Sequence, residues 1–373
     1  MKPESSVNNN QRTAAPFACT YSPQVPALLH TLGCSIAIST YQAGKIVLIS
    51  ARNEQQLVQL PRTFNKPMGI AEQVQKGKLA VAIRDEVIVF ANSPALATHY
   101  PKRPHTYDAL YLPRMTYHTG PLDIHDLRFG EGDRLFAVNT LFSSIVQLDD
   151  DYNFTPYWTP PFIDKIVPED YCHLNGMAMQ DGKPKYASSF NQGNSRQSWR
   201  ANITTGGTLF DIDSNEVIIT GLAMPHSPRI FNGDLYVLLS ATGELVKVDL
   251  NQGRYETIAA FGNFVRGMSL YQDYLFVGLS KIRKSSATFA KLDIAQQADQ
   301  AGIAILHLPT GQLVGQITYL NSVEEIYDVH VLGNTIRPNI LNTMTDDHKG
   351  ALMIPQTTYW SRAKGEGDEG SKR

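Results

Sequence analysis

The chain is expected to be all-β, a six-bladed β-propeller closed by its own N-terminal strands, and three observations carry that expectation. Short apolar and β-branched runs recur from end to end, among them KIVLIS, KLAVAI, RLFAV, DLYVLL and YLFVGL, with Gly, Asp and Asn turns between them. Such runs alternate with period 2 or are apolar throughout, and helical periodicity is confined to Pro26–Thr31 and Thr288–Ala298. A similar opening segment returns six times, and the last copy lacks following strands while three spare strands stand near the N-terminus.

The openers are PMGIA (67–71), IHDLRF (124–129), LNGMAM (174–179), PHSPRI (225–230), VRGMSL (265–270) and IYDVHV (326–331). The residues just before their turns are Met68, His125, Asn175, His226, Arg266 and Tyr327, spaced by 57, 50, 51, 40 and 61 positions. Repeats of about 40–50 residues with four strands each are what propeller blades require. Five openers are followed by a strand pair: KLAVAI/VIVF, RLFAV/SIVQL, KYASSF/TLFDI, LYVLL/ELVKVDL and LFVGL/IAILHL. The sixth is completed by SIAIST, KIVLIS and QQLVQL from residues 35–60. Joining the first and last blades by backbone hydrogen bonds removes two open sheet edges. Two β-sandwiches divided near residue 190 would leave that end-to-end fit unexplained.

The 373 residues are 42% hydrophobic and 18% charged, with 27 Gly and 21 Pro, which supplies a large core and excludes global disorder. A disordered N-terminal arm is expected over 1–20, a single propeller over 21–345, and a C-terminal extension over 346–373 that is mostly disordered at its end. Thirty-three basic against 35 acidic residues give a net charge of −2, no footprint for nucleic acid or a membrane surface. No apolar run reaches a membrane span, and the polar first residues lack a secretory core. Cys19, Cys34 and Cys172 are odd in number and scattered, which fits a reducing, cytoplasmic setting and no zinc motif.

In a propeller the inner strand of each blade and the loop between its second and third strands converge on one face. The six pre-turn residues should therefore meet, joined by Lys66, Asp123, His173, Met224, Phe264 and Glu325 two positions earlier on the same side of each strand. The loops add Tyr41, Arg84, Asn139, Asn191, Thr242, Ser280 and Lys281. Three histidines with a carboxylate suit a divalent metal ion or general-base chemistry. His125, His173 and His226 are thus the expected catalytic residues or metal ligands, with Glu325 as carboxylate ligand or acid. Arg266 and Arg84 would hold a carboxylate or an oxyanion, and Tyr41 and Asn139 would orient the substrate, with Asn175 and Tyr327 completing the binding set.

Asp126 and Asp328 replace the turn glycines Gly69, Gly176 and Gly267, and are expected to cap backbone N–H groups. His330 should pack between blades, and Gly44 should sit in a tight turn. There is no phosphate-binding GxxxxGK[ST] and no GxSxG nucleophile elbow. Two long insertions, Asn191–Gly207 and Lys281–Gly302, interrupt second-to-third strand connections on the expected functional face. They carry Arg196, Trp199, Arg200, Lys281, Arg283, Lys284 and Lys291, a set that favours an anionic ligand. A third, Ser93–Gly120, should wrap the side of a blade.

The strings STYQAGKIVLIS, NKPMGIA, DIHDLRF, AVNTLFSS, CHLNGMAM, MPHSPR, VRGMSL and EEIYDVHVL resemble an uncharacterised bacterial family of conserved hypothetical proteins, some fused to tetratricopeptide repeats. The resemblance runs from Tyr21 to Asn339 and implies no particular activity. By fold analogy, six-bladed propellers with a central metal or histidine cluster include lyases, lactonases and strictosidine-synthase-like enzymes. The expected function is a His-rich funnel binding a small polar or anionic molecule, or a peptide segment, with acid–base or metal-assisted lyase- or hydrolase-type chemistry. A non-catalytic scaffold that binds a protein partner is the alternative.

Overall fold

A computed structural model describes residues 14–282 and 289–361 of the chain. Its strands form six sheets in a ring, each built on four antiparallel strands, a six-bladed β-propeller. The first blade runs Ile70–Gln73, Lys78–Ala82, Val87–Asn92 and Ala109–Tyr117, from the axis outward. The second runs Ile124–Phe129, Leu135–Asn139, Ser144–Gln147 and Thr155–Trp158. Blades three to five begin on Leu174–Gln180, Pro225–Phe231 and Phe264–Tyr271. The inner strand of the sixth is Asp328–Leu332, and its other three strands are Ser35–Thr40, Lys45–Asn53 and Gln56–Thr63. Closure by N-terminal strands is therefore as expected, with Ile36 opposite Val331 and Ile38 opposite Val329.

Strand alternation builds the core between blades. Ile36, Ile38, Val47 and Ile49 face the fifth blade, packing on Ile303 and Ile305, whereas Ala37, Ile46 and Leu48 face the first, against Ile70 and Val81. Every neighbouring pair of blades shares such an apolar cluster. With each blade buried on both faces, the strands read as continuous apolar runs.

The turn position of the inner strands alternates around the axis. Gly69, Gly176 and Gly267 occupy it in the first, third and fifth blades, and Asp126, Ser227 and Asp328 in the second, fourth and sixth. Each polar side chain accepts a backbone N–H from the next blade: Asp126 from Met177 at 3.1 Å, Ser227 from Gly267 at 3.2 Å and Asp328 from Ile70 at 2.9 Å. The two aspartates cap backbone groups as expected. His330 also bridges blades, its Nε2 lying 2.9 Å from Glu72 Oε2.

The described parts of the flanking segments carry regular structure. Cys19 and Thr20, expected at the end of a disordered arm, continue with Tyr21 as a fifth strand paired with Gln312–Tyr319. The expected helix at Pro26–Thr31 spans Val25–Leu32 and stops at Gly33, whose left-handed φ of 61° suits glycine. Within the C-terminal extension, Ala351–Ile354 and Thr357–Trp360 form a hairpin against the first blade, where Trp360 Nε1 donates to Leu96 O. The Ser93–Gly120 insertion wraps that blade through the helix Pro94–Thr98 and the outer strand Ala109–Tyr117. In place of a helix over Thr288–Ala298, the described part holds two 3-10 turns, Phe289–Lys291 and Asp293–Gln296. Leu292 is extended between them (φ −70°, ψ 138°), and its buried side chain packs under the face. Thr288 lies outside the described residues.

Candidate acid–base and anion-binding site

A cavity of about 370 Å³ opens at the face where the inner strands begin. His125, His173, Arg266, Glu325, Tyr327 and Tyr41 line it, joined by Asp123, Asp170, Trp199 and Phe264. Six expected site residues thus converge from four blades although they are up to 286 positions apart in sequence.

Backbone geometry at the start of the inner strands aims the imidazoles. Lys66, Asp123, His173 and Met224, equivalent in the first four blades, all adopt left-handed φ between 49° and 56°. That conformation is uncommon for residues with a Cβ, and its repetition marks a built feature. In the second and fourth blades the same local device follows: His125 Nδ1 donates to Asp123 O at 2.9 Å, and His226 Nδ1 donates to Met224 O at 3.0 Å. In the third, His173 Nδ1 donates instead to the Asp170 carboxylate, at 3.0 and 3.2 Å from its oxygens. Each ring therefore carries a proton on Nδ1, and the buried His125 and His226 keep a lone pair on Nε2.

The three rings then part company. Those of His125 and His173 meet edge to face with centroids 4.9 Å apart, and Tyr327 lies 5.4 Å from His125. Burial pushes the His125 imidazolium down to about 4, against the pull of Asp123 and with the help of the neighbouring His173. His226 lies deeper, and its Nε2 accepts from Arg266 Nε at 3.2 Å. Burial and then the Arg266 charge hold it neutral, well below the usual histidine range. Its Nδ1 also donates to Ser240 Oγ, which itself donates to Val265 O.

Arg266 reaches from His226 to Glu325, where Nη1 meets Oε1 at 2.9 Å. Its guanidinium carbon lies 4.9 Å from the Tyr327 ring centroid and 5.3 Å from that of Phe264. The Tyr327 hydroxyl is buried without a hydrogen-bond partner among the described residues, and burial raises it well above the usual tyrosine value.

This geometry corrects several expectations. His226 is a support for Arg266 and does not line the cavity. The expected metal set of His125, His173, His226 and Glu325 does not fit an ion as a unit, because the guanidinium occupies the His226 lone pair and links that ring to Glu325. No group of three His, Cys, Asp or Glu side chains among the described residues is placed to hold a metal ion. Arg84 lies outside the cavity, with its exposed guanidinium 3.7 Å from Asp85. Asn139 does not line the cavity, and its Oδ1 accepts from Phe142 N at 3.1 Å within a turn. Asn175 is buried on its strand and does not reach the cavity.

The insertions form one wall. Trp199 stands over His173 with centroids 4.3 Å apart, and Phe190, Ile203, Leu292 and Ile294 pack with it in a single apolar cluster. Arg200 and Lys281 line the rim, whereas Arg196 is exposed away from it. Arg283 and Lys284 lie outside the described residues, as does the Lys291 side chain. Sequence reasoning missed Asp170 and Ser240, which stand off the inner-strand register; the carboxylate three positions before His173 was the available signal for the first.

Fold and site together define a propeller protein whose axial funnel is lined by imidazoles, aromatic rings and a buried guanidinium. The chain belongs to the family described as a domain of unknown function, DUF4915, which it matches over residues 23–341. Among solved structures it is similar to a chain in the crystal structure of a nidogen/laminin complex, with TM-score 0.52 and 11% identity over 81% of this chain and 99% of that one. It is also similar to a protein of unknown function from Bacteroides caccae, with TM-score 0.50 and 9% identity over 80% and 98% of the two chains. At such identities the likeness is one of fold alone. No curated protein matches the chain. No helix among the described residues is long and apolar enough to cross a membrane.

Proposed function

We propose that the funnel binds a small anionic molecule and that His173, backed by Asp170, acts on it as a general base. One observation carries this reading: the Asp170–His173 pair opens onto a cavity whose wall also holds the partnerless, buried Tyr327 hydroxyl. A carboxylate on Nδ1 orients an imidazole and stabilises the imidazolium formed when Nε2 takes a proton. His125, neutral above about pH 4, offers a second acceptor beside it. Arg266 and Tyr327 face the anionic end, as donors to a carboxylate or to an oxyanion formed on proton removal. The three free thiols support a reducing, cytoplasmic setting.

The test is a thermal-shift and ligand-observed NMR screen of low-mass carboxylates, including malate, citrate and glucuronate, against wild type and the R266Q, Y327F and H173Q variants. Binding to wild type that R266Q and Y327F weaken at least about tenfold, the loss of a charge-assisted hydrogen bond, is the expected result. Carboxylates that bind all four proteins equally, or none, would overturn it and leave the scaffold as the better account.

A further inference from the structure

The Asn191–Gly207 loop grips the segment that carries the proposed base. Gln197 N donates to Asp170 O at 3.1 Å, and Ser198 Oγ donates to Tyr171 O at 2.9 Å. Between these anchors and the cavity, Trp199 Nε1 donates to Asp170 Oδ2 at 2.9 Å while its ring covers His173. The indole is 2% exposed, held from behind by Phe190 and by Leu292 and Ile294 of the other insertion.

We infer that Trp199 is a positioning residue for His173, acting through Asp170, and that the Asn191–Gly207 loop is thereby a working part of the site. The inference rests on the reading of His173 as the base. A carboxylate held only by an imidazole is free to turn about its last bond. A second donor fixed by a buried ring stops that rotation, keeps both oxygens within reach of Nδ1, and so fixes which nitrogen of His173 carries the proton.

Nitrogen-15 NMR of the histidine rings in the full chain tests this without a substrate, His173 being assigned by its loss in H173Q. D170N marks the end point at which the carboxylate is gone. W199F keeps a ring over His173 and deletes the N–H, and S198A loosens the loop while leaving Trp199 in place. In wild type, His173 should show the Nδ1–H tautomer, and W199F should move both ring nitrogens towards the D170N positions, with S198A shifting them the same way by less. Spectra of W199F and S198A that superimpose on wild type at His173 overturn the inference, and S198A alone decides if W199F does not fold. Because the readout is the tautomer, a shift in W199F upholds the positioning role even if the carboxylate screen finds no binder.

Discussion

Arg266 donates through Nε to Nε2 of His226, 3.2 Å away, so one of the three expected catalytic histidines serves an arginine. The bond is possible because Nδ1 of His226 is already committed to Met224 O and Ser240 Oγ, which leaves the lone pair on the far nitrogen. Replacing His226 by Phe preserves the ring's bulk and strands a buried guanidinium N–H, while Met224 O keeps the Ser240 N–H at 3.1 Å. The expected loss is about 2 kcal/mol, read as a lower urea midpoint with an unchanged slope. H226F as stable as wild type would show that the chain through Arg266 contributes nothing to the fold.

Two buried groups should set opposing pH dependences. His125 is held down to about 4 from an unfolded value of 6.5, so its contribution is full above pH 6.5 and is lost as pH falls through about 4. Asp328 is pushed up to about 6 from 3.8, mainly by burial, so its contribution is full below pH 3.8 and is lost as pH rises through about 6. Between pH 4 and 6 the two slopes oppose each other. Urea midpoints taken across that window should rise more steeply with pH in D328N than in wild type, and less steeply in H125Q. Parallel profiles for all three proteins would show that neither group titrates as its burial requires.

The propeller was legible because its signals are periodic: paired apolar strands, a returning opener, and spare strands at one end that fit a deficit at the other. The site was half legible for the same reason, since His125, His173, Arg266, Glu325 and Tyr327 all stand on the inner-strand register. What register does not encode is depth and hydrogen-bond partnership. His125 and His226 occupy equivalent positions and make the same bond to the residue two before, yet one faces the cavity and the other faces Arg266. Arg84 and Asn139 share a loop position with Tyr41, but only Tyr41 reaches the cavity. The four residues expected as one metal set part at this level, because the Arg266 guanidinium stands between His226 and Glu325.

Below the cavity, Asp126 and Arg229 form a two-pronged ion pair, with Nη1 and Nη2 at 2.7 and 3.0 Å from the two carboxylate oxygens. Arg229 is 7% exposed and also donates to Met177 O, so the pair joins the second, third and fourth blades. Removing one partner of such a pair strands the other charge. D126A should cost about 3–5 kcal/mol, whereas D126A/R229M, which leaves only the partly exposed Arg128 guanidinium 3.5 Å from where the carboxylate stood, should recover part of that loss. A double-mutant cycle in urea measures the difference, and strict additivity of the two substitutions would show that the contact is not coupled.

The inner strands of the fifth and sixth blades approach each other closely at Gly267. Gly267 has φ +68°, and a Cβ there would lie 2.5 Å from Asp328 Cα and 2.6 Å from Val329 N. Both are backbone atoms of the neighbouring inner strand and cannot swing aside as a side chain would. Gly132 has nearly the same φ, +67°, and a Cβ there would meet nothing within 4 Å, so it isolates the conformational part of the effect. G132A should cost about 1 kcal/mol, the penalty of a left-handed backbone for a residue with a Cβ. G267A carries that penalty and must also part the two strands, so it should cost about 3 kcal/mol or more. Hydrogen exchange then localises the damage. The amides of Gly267 and Asp328, which donate to Ser227 Oγ and Ser39 Oγ, should lose protection in G267A and keep it in G132A. Equal losses in the two variants would mean that the blades do not meet as closely at this turn as the ring requires.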